Sequence, residues 1–372
     1  MLGYSFMGKA HTNAYLRMPI FFHPPPAEPE LVAICGRDEE KVSEAADRYG
    51  YKKYYTDWRK VINDDQVELV DNGLPNNMHE EPCIEAAEKG KIVFCEKPLG
   101  RNSKEAERMY RATKKAHVKN MVGFNYRFVP AIIFARQLIE EGYLGKILQF
   151  RAAYLQDWLL DPSYPLDWRM NKRIAGSGAL GDIGSHVLDI ARVLVGEVDS
   201  TVGITKTFTR KRPLSDNSGK KGDVDVDDAF IALLKFSSGA IGSLEASRLC
   251  AGRKNFARVE IHGTKGSLCF DLENLNELQF YSIEDDPDKR GFRKISVTES
   301  VHPFGDKWWP VGHVLGWEHA MVHEIYHLFN AVANDKPIEP LGATFYDGLR
   351  NSQILDAIAR SARTEKWHST PA

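Results

Sequence analysis

The first 120 residues alternate short apolar runs with stretches of helical periodicity, the pattern of a parallel sheet wrapped by crossover helices. Leu31–Cys35 reads as a buried strand and Arg37–Tyr49 as a helix, with Asp38 placed to cap its start and Gly50 just past its end. Val67–Val70 predicts the next strand, His79–Lys89 a helix ending before Gly90, Lys91–Cys95 another strand and Ser103–His117 another helix. Such repeats build a doubly wound Rossmann domain. One position departs from the pattern. Gly3 opens a glycine-rich turn after only Met1 and Leu2, where a buried strand of about five residues is expected. We therefore expect most of the first strand to be missing from the N-terminus as given, by a late start or a truncation, because a sheet without its central strand would expose two edges.

After a helical stretch over Ala131–Glu141, the period changes to the alternation of half-buried strands, at Ile147–Gln156, Ala229–Phe236, Ala240–Arg248 and Arg258–His262. Ser238-Gly239 and Gly263-Thr264-Lys265-Gly266 supply hairpin chemistry between them. A helical tail begins near Glu318, Phe21–Pro29 reads as a stiff proline-rich loop, and no internal repeat is evident. The predicted fold is α/β: an N-terminal Rossmann doubly wound parallel sheet over 1–127, then a C-terminal α+β domain over 128–372 with a large, mostly antiparallel sheet. One face of that sheet rests on its own helices. The other needs cover, which predicts a homodimer or homotetramer.

Composition narrows the function. At 372 residues the chain exceeds the size of one growing core, so two domains with a cleft are expected. Its 49 basic and 51 acidic residues give a net charge of −2 and are interspersed apart from a basic stretch at 206–221, which offers no footprint for nucleic acid. A small neutral ligand fits better. Cys35, Cys83, Cys95, Cys250 and Cys269 form no CxxC pair and no His/Cys cluster, as expected of reduced thiols and no zinc site. There is no signal-peptide pattern and no apolar run near the ~20 residues that span a bilayer, so a soluble, cytoplasmic protein with no membrane partner is expected.

Candidate chemistry begins at Gly3-Tyr4-Ser5-Phe6-Met7-Gly8, a G-x-G-x-x-G pattern with Ser5 for the second glycine. Alone it could be an ordinary turn; with the βαβ context after it, it points to a dinucleotide. Where NAD-specific folds offer an acid to the ribose, this chain has Gly36-Arg37, which suits the 2′-phosphate of NADP, although Arg37 could simply open a helix in solvent. Oxidising an alcohol needs a hydride acceptor, which no side chain supplies, and a base. Asp182, His186 and Asp189 stand at i, i+4 and i+7, so one helix would put all three on one face. A structural histidine and a capping aspartate fit that spacing too, as do two metal ligands, but no further cluster completes a metal site. Glu96-Lys97-Pro98 follows a predicted strand, at the sheet end where such folds bind ligands, though an exposed loop lysine could also stand there.

Together GYSFMGKAH (3–11), GLPNNMHEE (73–81), EKPLG (96–100), GFNYRF (123–128) and GDIGSHVLD (181–189) resemble the Gfo/Idh/MocA oxidoreductase family over nearly the whole chain. The resemblance implies an NAD or NADP dehydrogenase acting on a sugar, anhydrosugar or cyclitol hydroxyl. It implies Lys97, Asp182 and His186 as catalytic residues, with His186 as base. It gives Gly3, Ser5, Phe6, Met7, Gly8, Pro75, Asn76, His79, Glu96, Lys97 and Asn125 to the cofactor, to which the reading of the second strand's end adds Gly36 and Arg37, and Arg127 to the substrate beside the trio; the chain departs from the family pattern at Ser5 and Gly36. Within the family, YLQDW (154–158), LDWR (166–169), EASR (245–248) and HPFG (302–305) look closest to members that oxidise a pyranose-ring hydroxyl of an anhydrosugar. Gln156, Asp157, Trp168, Arg169 and His302 are then substrate candidates, each of which could equally serve packing in the sheet domain. Two rivals stand beside this reading: a non-catalytic sugar or redox sensor, and an NAD-dependent glycosidase with no net redox change.

Overall fold

The computed structural model describes residues 1–215 and 218–370. Positions 216 and 217 of the basic stretch, and the last two residues, lie outside them. The chain forms two compact units, Met1–Phe128 with Gly316–Leu349, and Val129–Leu315 with Arg350–Ala372. A single cut after residue 127 would assign Gly316–Leu349 to the second unit, whereas it packs within the first.

In chain order the first stretch runs α1 (Phe6–Phe21), β1 (Ala33–Cys35), α2 (Glu39–Tyr49), β2 (Lys53–Tyr55), α3 (Trp58–Ile62) and β3 (Leu69–Asn72). It continues through α4 (Glu80–Glu88), β4 (Ile92–Glu96), α5 (Ser103–Ala116) and β5 (Asn120–Gly123). The predicted helix over 37–49 begins two residues later, where the Asp38 carboxylate accepts from Lys41 N and Gly50 closes the helix at φ 83°. β1 and β2 pair in parallel, as do β3, β4 and β5. Between β1 and β3 lies the N-terminus. Leu2, fully buried, bridges Cys35 on one side and Asn72 on the other, both in parallel. Leu2 N donates to Asp71 O (2.7 Å) on the β3 side and Cys35 N to Met1 O (2.9 Å) on the β1 side, so both strand edges find partners there. The central position of the sheet is thus held by Met1–Gly3, with a single bridge on each side, a remnant of the strand that the Rossmann pattern calls for.

The second unit begins with α6 (Pro130–Glu140), β6 (Ile147–Leu155), α7 (Lys172–Ala175), α8 (Ala179–Asp182) and α9 (Gly184–Val195). Strands follow: β7 (Val198–Lys206), β8 (Lys211–Pro213), β9 (Lys221–Asp223), β10 (Ala229–Phe236), β11 (Ile241–Ser247), β12 (Phe256–Gly263), β13 (Gly266–Asp271), β14 (Glu277–Ser282) and β15 (Arg293–Ser296). The chain closes with α10 (Trp317–Ala333), α11 (Phe345–Thr364) and β16 (His368–Ser369). The tail is therefore two helices and a short strand, not one helical run. Nine strands form one sheet in the order β15-β14-β13-β12-β6-β11-β10-β7-β16. Only the β6–β11 pair is parallel. In β10 the alternation is strict: Phe230, Ala232, Leu234 and Phe236 are buried, while Ile231, Leu233 and Lys235 face out.

In the first unit α10 lies along α1, with Phe22 stacked on Tyr326 (ring centroids 4.1 Å) and Tyr15 against Phe329 (5.9 Å). No helix is long and apolar enough to cross a membrane, among the described residues. Nor does any group of three or more His, Cys, Asp or Glu side chains form a metal cluster among them.

Candidate active site

The glycine-rich turn is closed tightly. Gly3 sits at φ +100°, and a Cβ on Gly8 would lie 2.2 Å from Gly3 O, so no larger residue fits where α1 begins. Ser5 is the N-cap residue but makes no side-chain cap, and no acid occupies the first turn. The leading amides of α1, from Phe6, Met7 and Gly8, therefore lack intrahelical acceptors and face whatever anion approaches the helix end. Phe6 is exposed and stacks on Trp317 at 5.6 Å. Asn125, just past β5, is buried, and its Nδ2 has no hydrogen-bond partner among the described residues. An open helix N-terminus and an orphaned amide donor in the same unit fit a dinucleotide.

Other predicted cofactor residues serve the loops around the strand ends. His79 is buried, with Nδ1 3.0 Å from Pro98 O and Nε2 2.8 Å from Leu74 O. Burial pushes its imidazole below the usual range. Its ring thus ties the Leu74–Asn76 loop, which holds Pro75 and Asn76, to the Glu96-Lys97-Pro98 element. Gly36 is packed against the Tyr4 ring, where a Cβ would come within 2.1 Å of two ring carbons. Arg37 beside it is exposed. The absence of an acid at position 36 is therefore also a packing requirement. Arg127 is buried, with Nη2 3.4 Å from Asp347 Oδ1.

Glu96, at the end of β4, turns its carboxylate inward. Oε1 lies 3.0 Å from His11 Nε2, and Lys97 N donates to Oε2 at 3.0 Å. His11 Nδ1 reaches Asp71 at 2.9 Å, and Tyr15 Oη donates to the same carboxylate at 2.8 Å. Lys97 itself is half-buried.

The second unit corrects the expected helix. Asp182 ends α8, Ile183 breaks the run, and α9 starts at Gly184, so Asp182 does not share a helix face with His186 and Asp189. Three glycines flank or enter this run, and glycine is a poor helix former. At the break itself Gly184 is pressed against Phe230, whose ring would meet a Cβ at 2.5 Å. Asp182 is not the cap of α9 either, because Ile183 occupies that position. His186 and Asp189 are both buried on α9, and the His186 ring lies 6.0 Å from that of Tyr154.

α8 is held from far along the chain. The Asp227 carboxylate accepts from Gly178 N and Leu180 N, both at 2.7 Å, capping its first turn. Arg248, fully buried, donates from Nη2 to Asp227 O (3.0 Å) and places Nη1 3.5 Å from Asp182 Oδ2. The substrate candidates divide. Gln156 gives Nε2 to Asn255 and accepts from Trp158 Nε1, and Asp157 pairs with Lys254 at 2.7 Å, which holds its carboxyl below the usual range. His302 Nδ1 accepts from Glu299 N and its ring packs on Phe134. These three already have partners, two of them nearly 100 positions away, while Trp168 and its neighbour Arg169 stack on each other at 4.3 Å.

His11, Asp71, Arg248 and Asp227 had no role in the sequence reading. His11 and Arg248 lay inside quoted motifs, but a buried charge has no signature in one sequence unless its partner is known.

Comparison with known proteins accords with this architecture. Residues 1–124 match the model for an oxidoreductase family with an NAD-binding Rossmann fold, and 132–269 match the GFO/IDH/MocA C-terminal domain. Levoglucosan dehydrogenase of Pseudarthrobacter phenanthrenivorans is 43% identical, covering 100% of this chain and 97% of that protein. Myo-inositol 2-dehydrogenase of Thermotoga maritima is 33% identical over 71% of this chain and 74% of its own. A solved structure of levoglucosan dehydrogenase in complex with NADH and levoglucosan superposes with a TM-score of 0.96 at 44% identity, covering 100% of this chain and 98% of that one. This chain belongs to the Gfo/Idh/MocA family of oxidoreductases and carries its NAD-binding Rossmann fold.

Proposed function

We propose that the protein is a nicotinamide-dependent dehydrogenase that oxidises a ring hydroxyl of a sugar, anhydrosugar or cyclitol to a ketone. The full-length likeness to levoglucosan dehydrogenase carries this reading, together with the presence of Lys97, Asp182 and His186. A bound nicotinamide supplies the hydride acceptor. The chain supplies the proton chemistry: His186 accepts the hydroxyl proton, Lys97 hydrogen-bonds the reacting oxygen, and Asp182 orients the sugar. The α1 amides and Asn125 hold the dinucleotide. Arg127, Gln156, Asp157, Trp168, Arg169 and His302 are the candidate substrate contacts, of which Arg127, Gln156, Asp157 and His302 already have partners within the protein.

For the finer choice of cofactor, the lack of an acid at position 36 and the exposed Arg37 support acceptance of NADP at least as readily as NAD. A screen of sugars, anhydrosugars and cyclitols with NAD and NADP side by side tests activity, substrate class and cofactor at once. Accumulation of reduced nicotinamide is expected with an anhydrosugar or cyclitol. Product formation with no accumulation would point to a glycosidase, and binding without turnover to a sensor.

The nine-stranded sheet also supports self-association. Ile231 and its direct neighbour Ile204 on β7 share an outward face with Leu233 and Ile241, and all four are at least half exposed. A homodimer or homotetramer through this face is expected, and a monomer by light scattering at micromolar concentration would count against it.

A further inference from the structure

The last residue of the motif at 3–11 is His11, and holding a pyrophosphate leaves it without a task. It is 1% exposed and faces carboxylates with both ring nitrogens. Nδ1 lies 3.0 and 2.9 Å from the two oxygens of Asp71, and Nε2 lies 3.0 Å from Glu96 Oε1. A neutral imidazole carries one N–H and one lone pair, so one carboxylate would face that lone pair inside a buried cluster. Two N–H groups satisfy both. Burial by itself would depress the imidazole, yet Asp71 and then Glu96 outweigh it and hold His11 well above the usual range. The groups around it are consistent with one cation between two anions. Tyr15 donates its hydroxyl to Asp71, and the buried Glu324 of α10 is pushed well up by burial and by those same carboxylates, which favours its neutral form.

The Glu96 end of this bridge matters for chemistry. Glu96 pairs with Gly123 across β4 and β5, and a Cβ there would lie 2.9 Å from Glu96 Oε1, so the neighbouring strand leaves room for the carboxylate in this orientation. Its other oxygen takes the Lys97 amide at 3.0 Å. The chain leaving β4 is thus fixed at its first residue by a carboxylate that is itself fixed by His11.

We infer that His11 is a positioning residue for Lys97: its imidazole, clamped between Asp71 and Glu96, fixes the carboxylate that holds the Lys97 main chain and so sets where the lysine side chain is presented. The inference rests on the proposed role of Lys97 at the reacting hydroxyl. It is distinct from a packing role, because it requires the rate to respond while the fold and the dinucleotide site do not.

The test uses His11→Gln, which keeps a donor but loses the charge and the second N–H, with Lys97→Met measured alongside. Turnover of the best sugar, NADH affinity by fluorescence, and amide hydrogen exchange at Lys97 are read for each. His11→Gln is expected to lower kcat by about 10–100-fold, the cost of a misplaced catalytic group. NADH affinity should hold in the folded variant, and the Lys97 amide should exchange faster. If Lys97→Met abolishes turnover but His11→Gln keeps wild-type kcat and Lys97 protection, the positioning role is overturned and the role of Lys97 stands. If Lys97→Met turns over normally, the catalytic reading itself falls, and this inference with it. Should His11→Gln fail to fold, Glu96→Gln, which breaks the same link from the other side, is judged by turnover and by exchange of the Lys97 amide.

Discussion

The two units support their proposed catalytic residues in different currencies. Beneath Lys97 the first unit places charge: an imidazole between two buried carboxylates, joined to the strand end by one amide hydrogen bond. Around Asp182 and His186 the second unit uses mostly neutral backbone. Asp227 caps α8 through two amides, Asn351 on α11 donates to Ser185 O beside His186 at 2.9 Å, and a single buried guanidinium stands near Asp182. Both supports join segments far apart in the chain, but the first turns on an imidazole held above its usual range, whereas the second turns on backbone amides held by a buried carboxylate. The difference predicts which substitutions act on rate, which act on stability, and which react to pH.

The largest effect belongs to the base. His186→Ala should lower turnover by about 10²–10⁴-fold with NADH affinity unchanged, because the imidazole is assigned to the sugar hydroxyl and not to the cofactor. The wild-type rate should rise with pH as the imidazole becomes neutral and able to accept a proton. That limb should be absent from the variant's pH profile. Near-normal turnover, or an identical limb, would move the base to Lys97 or to water.

Next is the guanidinium that distinguishes the second unit's support. Arg248→Met keeps the apolar stem but removes the donor to Asp227 O, leaving α8 less firmly held. A loss of about 1–3 kcal/mol in denaturant unfolding is expected, as for a buried acceptor left unmatched. KM for the sugar should rise more than KM for the cofactor. Equal changes in both would show that Arg248 serves the fold without favouring Asp182.

Gly36→Asp probes the first unit away from its charged cluster. It should shift preference from NADP towards NAD by about 1 kcal/mol through repulsion of the 2′-phosphate. Because the new side chain meets the Tyr4 ring, overall dinucleotide affinity should fall as well, and Tyr4→Ala in the same chain should recover it. An unchanged preference ratio would dismiss Arg37 as a phosphate reader.

The smallest effect is the pH slope of stability, and two buried histidines of the first unit give it opposite signs. His11, held above its unfolded value, contributes stability that is fully present below the ordinary imidazole range and is lost as pH rises through its folded value. His323, pushed down to about 3 by burial, stays neutral while the unfolded chain takes up a proton, so stability falls as pH drops below the unfolded value. Each proton is worth at most about 1.4 kcal/mol per pH unit. Urea midpoints across pH should show His11→Gln flattening the alkaline limb and His323→Phe the acid limb. The reverse assignment would contradict the charged bridge.

Much of the first unit was legible because its signals are local. Asp38 and Gly50 bound α2 through contacts within a few residues, and the strand ahead of Lys97 is a run of apolar residues whose burial needs no partner to be inferred. The second unit's alternation likewise predicted Ala229–Phe236 to the residue. The run from Gly181 to Asp189 was misread as one helix, since the spacing of Asp182 and His186 fits a helix, while the break at Ile183 is set beside a packed contact with Phe230, about 45 positions away.

The sequence by itself determined the alternation of the main strands and helices between Leu31 and His117, the turn at Gly3–Gly8, and the placement of Lys97 at a strand end, because periodicity, capping and glycine geometry act over a few residues. Only the tertiary structure decided that Met1–Gly3 holds the sheet's centre, that Asp227 and Arg248 secure α8, and that His11 lies between Asp71 and Glu96. The physical reason is that ionisation depends on burial and on neighbours: His11 and Glu96 are 85 positions apart, and their charges are defined only once folding removes water from between them.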